Sequence, residues 1–409
     1  MGQRWALRVA RAYDGERFRR DGATVVVDGD RIAGVEPAAF SPPGDVPVTD
    51  LDGTLLPGLV DCHVHLVAAG AFPGAQGSLE WAGTADPASV DLVVTAALED
   101  HVAAGVTTVR DLGDAGFRVL AHRGRHPERL PRVVAAGPPL TTPAGHCHFL
   151  GGAVDPDDPA ALDRAVADRV ERGVDLVKVM ASGGFLTPGS DQLGAQFEVA
   201  PLRHLVDAAH TAGLRVVAHT HSVTGAEVAL DAGVDGLEHF TCLAPGGVHA
   251  PAELLDRVAS AGVTVDPTLG HDAARFPPVS QMPPHVLEML ARIGITDRDA
   301  HFAQVARGSL RLREHGVRVV SGLDAGAMPA KPHGHLWRSV AALVEGGWPV
   351  DEALATATSA AADDCGVDAG RLAAGRLADL LVVDGDVATD VAALGRPVAV
   401  WLGGVAVGT

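Results

Sequence analysis

Lysine is almost absent from this sequence. Only Lys178 and Lys331 occur in 409 residues; every other basic side chain among the 32 Lys+Arg is arginine. Acidic residues number 51, so the net charge is −19. Such a surface lacks the basic face that tracks phosphates, which excludes nucleic acid and anionic membranes as partners. Cysteine is sparse too. Cys62, Cys147, Cys242 and Cys365 are too few for a disulfide framework and none has C-x-x-C spacing. No apolar run approaches the ~18 residues of a spanning helix. The opening MGQRWALRVARAYDGERF meets charge too early for a secretory h-region. The expectation is a reduced, cytoplasmic protein. Low-complexity tracts are missing, and no G-x-G-x-x-G or G-x-x-x-x-G-K-[ST] sits between a strand and a helix, so nucleotide binding has no support.

What is present is a repeating unit: a short apolar strand, a polar end, an Ala-rich helical stretch and a Gly-Val entry into the next strand. Eight strands are expected at 58–65, 106–113, 132–137, 174–182, 215–221, 234–239, 263–269 and 317–326. Helical stretches such as PAALDRAVADRVERG and PAELLDRVASAG repeat apolar residues at i, i+3, i+4 and i+7, opened by Asp or Pro and closed by Gly. Alternation of this kind predicts a parallel α/β sheet, and eight units are the number that closes a (β/α)8 TIM barrel. An open doubly wound sheet is the alternative. Residues 1–57 and 367–409 read as short β-strands between turns, neither long enough for its own core. They are expected to join as one composite β-sandwich domain beside a barrel of residues 58–366. The Pro-rich stretch 270–295 is the expected cap of the barrel mouth.

Barrel active sites sit at the C-terminal ends of strands, so the residues there matter most. His63 and His65 end strand 1 and, two apart, point the same way. They suit a divalent metal, or one is packed and the other solvated. His219 and His221 repeat the spacing on strand 5, and His239 follows on strand 6. Four of these five form H-x-H pairs, so some are ligands and others supporting partners. Asp324 ends strand 8, as a helix cap or as a ligand and proton carrier. Asp111 ends strand 2, with a structural or a catalytic role left open, as for His148, His333 and His335. Lys331 reads as part of a polar loop.

Lys178 lies in VDLVKVMASGG, inside an apolar strand. A bare ammonium there would be desolvated. It would also repel a neighbouring cation by roughly 4 kcal/mol per unit charge at about 4 Å and an effective dielectric of about 20. A neutral amine for Schiff-base chemistry, a carbamate formed with CO2, or a side chain snorkelling to the mouth each resolve the conflict.

His63-Val64-His65 after Pro57-Gly58-Leu59-Val60-Asp61, Lys178 in VKVMASGG, His219 in AHTH, His239 in LEH and Asp324 in GLDAG together resemble the amidohydrolase superfamily. The nearest likeness is the imidazolonepropionase-like and Xaa-Pro/Xaa-Arg dipeptidase-like branch, over nearly the whole chain. The resemblance implies a binuclear metal-dependent amidohydrolase. It would cleave a small-molecule amide (a dipeptide, an N-acyl amino acid or a related amide) with a metal-bridging hydroxide. His63 and His65 would hold one of two divalent ions, with Zn2+ expected, and His219 and His239 the other. Lys178, carbamylated by CO2, would bridge them. Asp324 would ligate the first and carry the proton. His146, in PAGHCHF, and His221 would meet the substrate. Where prolidase-like members carry Tyr, this chain has His221. Imidazolonepropionases are mononuclear and lack the strand-4 lysine, so VKVMASGG argues against that activity. Alternatives are a cyclic amide or lactone hydrolase, a mononuclear deaminase, a Schiff-base lyase and a barrel that only stores metal. A homo-oligomer is compatible with every reading.

Overall fold

The computed structural model describes residues 4–70, 78–276, 278, 282 and 284–407. All eight expected strands are present. In chain order they are strand 1 (Leu59–Val64), strand 2 (Val106–Asp111), strand 3 (Arg132–Ala135), strand 4 (Leu176–Met180), strand 5 (Arg215–Ser222), strand 6 (Gly236–Ala244), strand 7 (Thr264–Asp266) and strand 8 (Arg318–Val319). Strands 1 to 3 pair in parallel as one sheet. Strands 4 to 8 pair in parallel as another, in chain order.

The edges of the two sheets approach each other at both ends. Leu140, just past strand 3, forms a parallel bridge with Val179 of strand 4. Val64 of strand 1 bridges Ala325 beyond strand 8. There the amide of Asp324 donates to the His63 carbonyl (2.8 Å) and the amide of His65 to the Ala325 carbonyl (2.8 Å). Strand 8 is shorter than its apolar run because residues 320–325 leave regular pairing to carry Asp324 against His63.

The helices form where the periodicity places them, and their ends follow from side-chain chemistry. The helix Pro159–Arg172 starts at Asp158, whose carboxylate accepts from the Ala160 amide (3.0 Å), with Pro159 where no amide is needed. It ends at Gly173, at φ 74°, a left-handed turn that costs other residues about 1 kcal/mol or more. Its Leu162 and Val166, like Leu202, Leu205 and Val206 of the next helix Val199–Thr211, are buried in the main core.

Both chain ends do meet, in one sheet whose far edge folds back so that Arg31 bridges Leu377. Among the described residues the strands run, in spatial order, Val405–Val407, Pro397–Leu402, Leu380–Val383, Val48–Pro57, Trp5–Tyr13, Ala23–Asp28 and Arg31–Glu36, with Phe18–Arg19 on the flank. The sheet curls over its own core of Leu7, Val25, Leu55 and Leu380. The Trp5 and Trp401 rings stack at 5.6 Å. Two strands separate them, so a flat sheet would hold them at least about 14 Å apart. Curling buries the apolar face that a second sheet would otherwise cover. The Pro-rich stretch expected to cap the mouth lies partly outside the described residues. No helix among the described residues is long and apolar enough to cross a membrane.

Candidate metal centre

Strand ends deliver the polar residues to one place. His63, His65 and Asp324 form one group whose candidate ligand atoms lie within 4.8 Å of one another, and His219, His221 and His239 form another. The groups share an edge: the His63 and His239 rings are 5.0 Å apart. Asp324 Oδ1 stands 3.3 Å from His65 Nε2 and 3.6 Å from His63 Nε2. It is not a helix cap.

Two of these residues hold unusual backbone. Asp324 has φ 61° and His239 φ 66°. Left-handed backbone is strained for residues with a Cβ and concentrates at functional sites. Here it turns the side chains inward where a regular strand would alternate them.

The imidazoles are oriented by their far nitrogens. His65 Nδ1 donates to the Gly113 carbonyl (3.0 Å) and His219 Nε2 to the Gly183 carbonyl (3.2 Å). A carbonyl only accepts, so His65 keeps its lone pair on Nε2 and His219 on Nδ1. His63 Nδ1 contacts Glu238 Oε2 at 2.7 Å. His239 and His221 rest their Nδ1 atoms on Thr268 and Thr241 hydroxyls, at 2.8 and 2.9 Å. Burial, then nearby positive charge, pushes the pKa values of His63, His219 and His239 well down, leaving neutral imidazoles. Burial would raise the Asp324 carboxyl, but the His65 contact and the charge of Lys331 hold it below the usual carboxylate range.

Lys178 is 1% exposed, and its Nζ has no hydrogen-bond partner. Burial lowers its pKa from 10.5 to about 8. Its charge depresses the pKa values of His63, His146, His219 and His239, which puts it in the same cluster. An orphaned amine among neutral imidazoles beside an ionised carboxylate fits a polynuclear cation site. Lone pairs and an anion converge there, with the unpartnered amine among them.

His146 lies beside this cluster, its ring 4.6 Å from His219. Thr187 Oγ1 accepts from the Cys147 amide (2.9 Å) and also meets His146 Nδ1 (3.0 Å), which orients the ring. Gly184 makes room for this ring: a Cβ there would fall 2.3 Å from Nε2.

The other residues left open bond to the surrounding framework. Asp111 accepts from the amides of Leu66 (2.7 Å) and Gly113 (3.1 Å), tying together the loops after strands 1 and 2. His333 Nε2 donates to the Ala68 carbonyl (2.8 Å), and its Nδ1 meets His101. His148 is exposed, bonded to the Gly145 carbonyl, and His335 packs by Arg338. Lys331 is not in an open polar loop. It is 7% exposed and its Nζ donates to the Thr268 and Leu323 carbonyls at 2.7 and 3.0 Å. A cavity of about 590 Å3 opens elsewhere, beside Arg215, Thr264 and Arg318 at the N-terminal ends of strands 5, 7 and 8. It is remote from the histidines.

Sequence reasoning passed over the layer beneath. Arg110 on strand 2 is buried, donating to the Cys62 carbonyl, Asp364 and Glu238. Asp61 accepts from the His63 and Leu323 amides, and Asp266 sits within 4.8 Å of Glu238 and His63. Arg110 in VTTVRDL, like Lys178, is a cation in an apolar strand.

Residues 54–407 match the sequence profile of the amidohydrolase family. An uncharacterized protein of Mycobacterium tuberculosis is 29% identical over 312 residues, 75% of this chain and 72% of its own length. An imidazolonepropionase of Cereibacter sphaeroides is 30% identical over 273 residues, 60% of this chain and 67% of its own length. Among solved structures, a Xaa-Pro dipeptidase with methionine bound in its active site superimposes with a TM-score of 0.83 at 25% identity, over the full length of both chains.

Proposed function

The chain belongs to the amidohydrolase family and is a hydrolase acting on carbon–nitrogen bonds, and from that premise we propose a binuclear enzyme that cleaves a small-molecule amide, a dipeptide or N-acyl amino acid. The observation that carries the reading is the pair of buried ligand groups sharing the His63–His239 edge, with the unpartnered Lys178 amine in the same cluster. His63, His65 and Asp324 hold one divalent ion and His219 and His239 a second, Zn2+ being the expected metal for such nitrogen-rich sets. Lys178 joins them as a carbamate: its neutral amine adds to CO2 and loses a proton, turning an orphaned cation into a two-oxygen anion. The bound ions supply Lewis-acid polarisation of the amide carbonyl and acidify the attacking water.

The protein's own groups do the rest. Asp324 takes a proton from the water and returns it to the leaving nitrogen. His146 donates to the carbonyl oxygen as negative charge develops there. His221, partly open and backed by Thr241, meets the substrate. The two bridges that join the sheet edges support a closed (β/α)8 barrel over 58–366, with residues 1–57 and 367–409 as its companion domain. Four free thiols are in keeping with a reduced, cytoplasmic setting.

Metal analysis followed by a screen of Xaa-Pro and Xaa-Arg dipeptides, N-acyl amino acids, lactams and lactones tests the proposal. Two metal equivalents with amide turnover are expected. One equivalent with release of ammonia would make it a deaminase.

A further inference from the structure

Beneath the histidines, Glu238 bridges Arg110 and His63. Its Oε2 lies 2.7 Å from His63 Nδ1, and its Oε1 lies 3.3 Å from an Arg110 terminal nitrogen. All three side chains are almost fully buried. The Arg110 guanidinium cannot swing away. Its Nε donates to the Cys62 carbonyl (2.7 Å) and its other terminal nitrogen to Asp364 (2.6 Å). Glu238 precedes His239 in sequence, yet both side chains reach His63, because the left-handed backbone at His239 breaks the strand's alternation.

We propose that Glu238 and Arg110 are positioning residues that set the tautomer of His63. The proposal rests on the reading of His63 as a ligand. With Arg110 donating to its Oε1, Glu238 is placed as a carboxylate acceptor, and His63 then carries its proton on Nδ1. That leaves the lone pair on Nε2, the nitrogen facing Asp324. Arg110 is a donor only, so it fixes Glu238 as the acceptor between two N–H groups. Hydrogen bonds of this kind to the far nitrogen typically change metal affinity 10- to 100-fold.

This arrangement makes an isosteric change informative. In Glu238→Gln the single amide oxygen must face Arg110, which can only donate. The amide NH2 then faces His63 Nδ1, with Asp266 Oδ2, which has no partner of its own, nearby for the second hydrogen. His63 Nδ1 becomes an acceptor and its proton moves to Nε2, the metal-facing atom. The shape is kept while the ligand is turned off. Removing Arg110's donors as well, in Glu238→Gln/Arg110→Met, frees the amide to rotate and offer its oxygen to His63 again.

The test is nitrogen-15 histidine NMR on the metal-free full chain, with the His63 signal assigned by its loss in His63→Gln, alongside Zn2+ titration. The wild type should show Nδ1–H and a bare Nε2. Glu238→Gln should show Nε2–H and bind Zn2+ about 10- to 100-fold more weakly, and the double variant should recover the Nδ1–H form and part of the affinity. A wild-type His63 protonated on Nε2, which needs no variant to observe, would overturn the proposal. So would a folded Glu238→Gln that keeps Nδ1–H and wild-type affinity, or a folded double variant without recovery. If the wild type shows Nδ1–H but takes up no metal, it is the assignment of His63 as a ligand that fails, since the tautomer is read without metal.

Discussion

Asp324 Oδ1 lies 3.3 Å from His65 Nε2, a carboxylate pressed against an imidazole at the end of two strands that are distant in sequence. The contact is made by bending strand 8's continuation into left-handed backbone at Asp324 and clamping it to strand 1 through the His63 carbonyl. A carboxylate fixed at this point can hold a cation and still exchange a proton.

Asp324→Asn separates those two tasks. The amide oxygen remains a ligand, but the side chain no longer accepts a proton. Metal content should stay at one equivalent or more while kcat falls about 10²- to 10⁴-fold. Near-normal kcat, measured beside metal content on the same sample, would reduce Asp324 to a structural role.

Metal removal should abolish activity, and Zn2+, Co2+ or Mn2+ should restore it, because four buried imidazoles and the Asp324 carboxylate converge there. Full turnover after dialysis against chelator, with metal confirmed absent, contradicts the metallohydrolase reading.

His221 shares a face with His219, their rings 4.6 Å apart, yet it is the more open of the two. His221→Ala should raise KM or change substrate preference while both metal equivalents remain. Loss of one equivalent would make His221 a ligand in place of its proposed substrate role.

The pH dependence of assembly follows from Lys178. Burial brings its pKa down to about 8, so the amine is mostly protonated at pH 7 and mostly neutral at pH 9. Only the neutral amine reacts with CO2. Reconstitution of metal-free enzyme with Zn2+ at fixed dissolved CO2 should therefore accelerate roughly tenfold from pH 7 to pH 9 and level off above it. A flat rate over that range would show that amine ionisation does not gate assembly. Lys178→Arg, permanently charged, should lose one or both metals and nearly all activity at every pH. Added small carboxylates, and not amines, should partly rescue Lys178→Ala.

Much of this site was legible because it consists of polar residues where apolar ones are expected. His63, His65, Lys178, His219 and His239 interrupt buried strands at the ends where barrels keep their chemistry, and all of them converge. Pairing partners were less legible. The terminal strands read correctly as strands, but alternation reports which face is buried and not whether that face meets a second sheet or its own curled edge. The contact of Glu238 with His63 was hidden by the same rule. Alternation sends Glu238 away from His239, and only the positive φ at His239, invisible in sequence, brings both to His63. Lys331 looked exposed among Pro, Gly and His, yet it is buried with its amine on two carbonyls, that of Thr268 sixty-three residues away and that of Leu323 eight away.

The central claim is that Lys178 bridges two metals as a carbamate, and electron density at Lys178 Nζ in a metal-loaded, active crystal tests it most directly. The account predicts density for a carboxylate on Nζ with a metal at each oxygen and two metals per chain. A bare amine in a fully metallated enzyme that turns over substrate would contradict it.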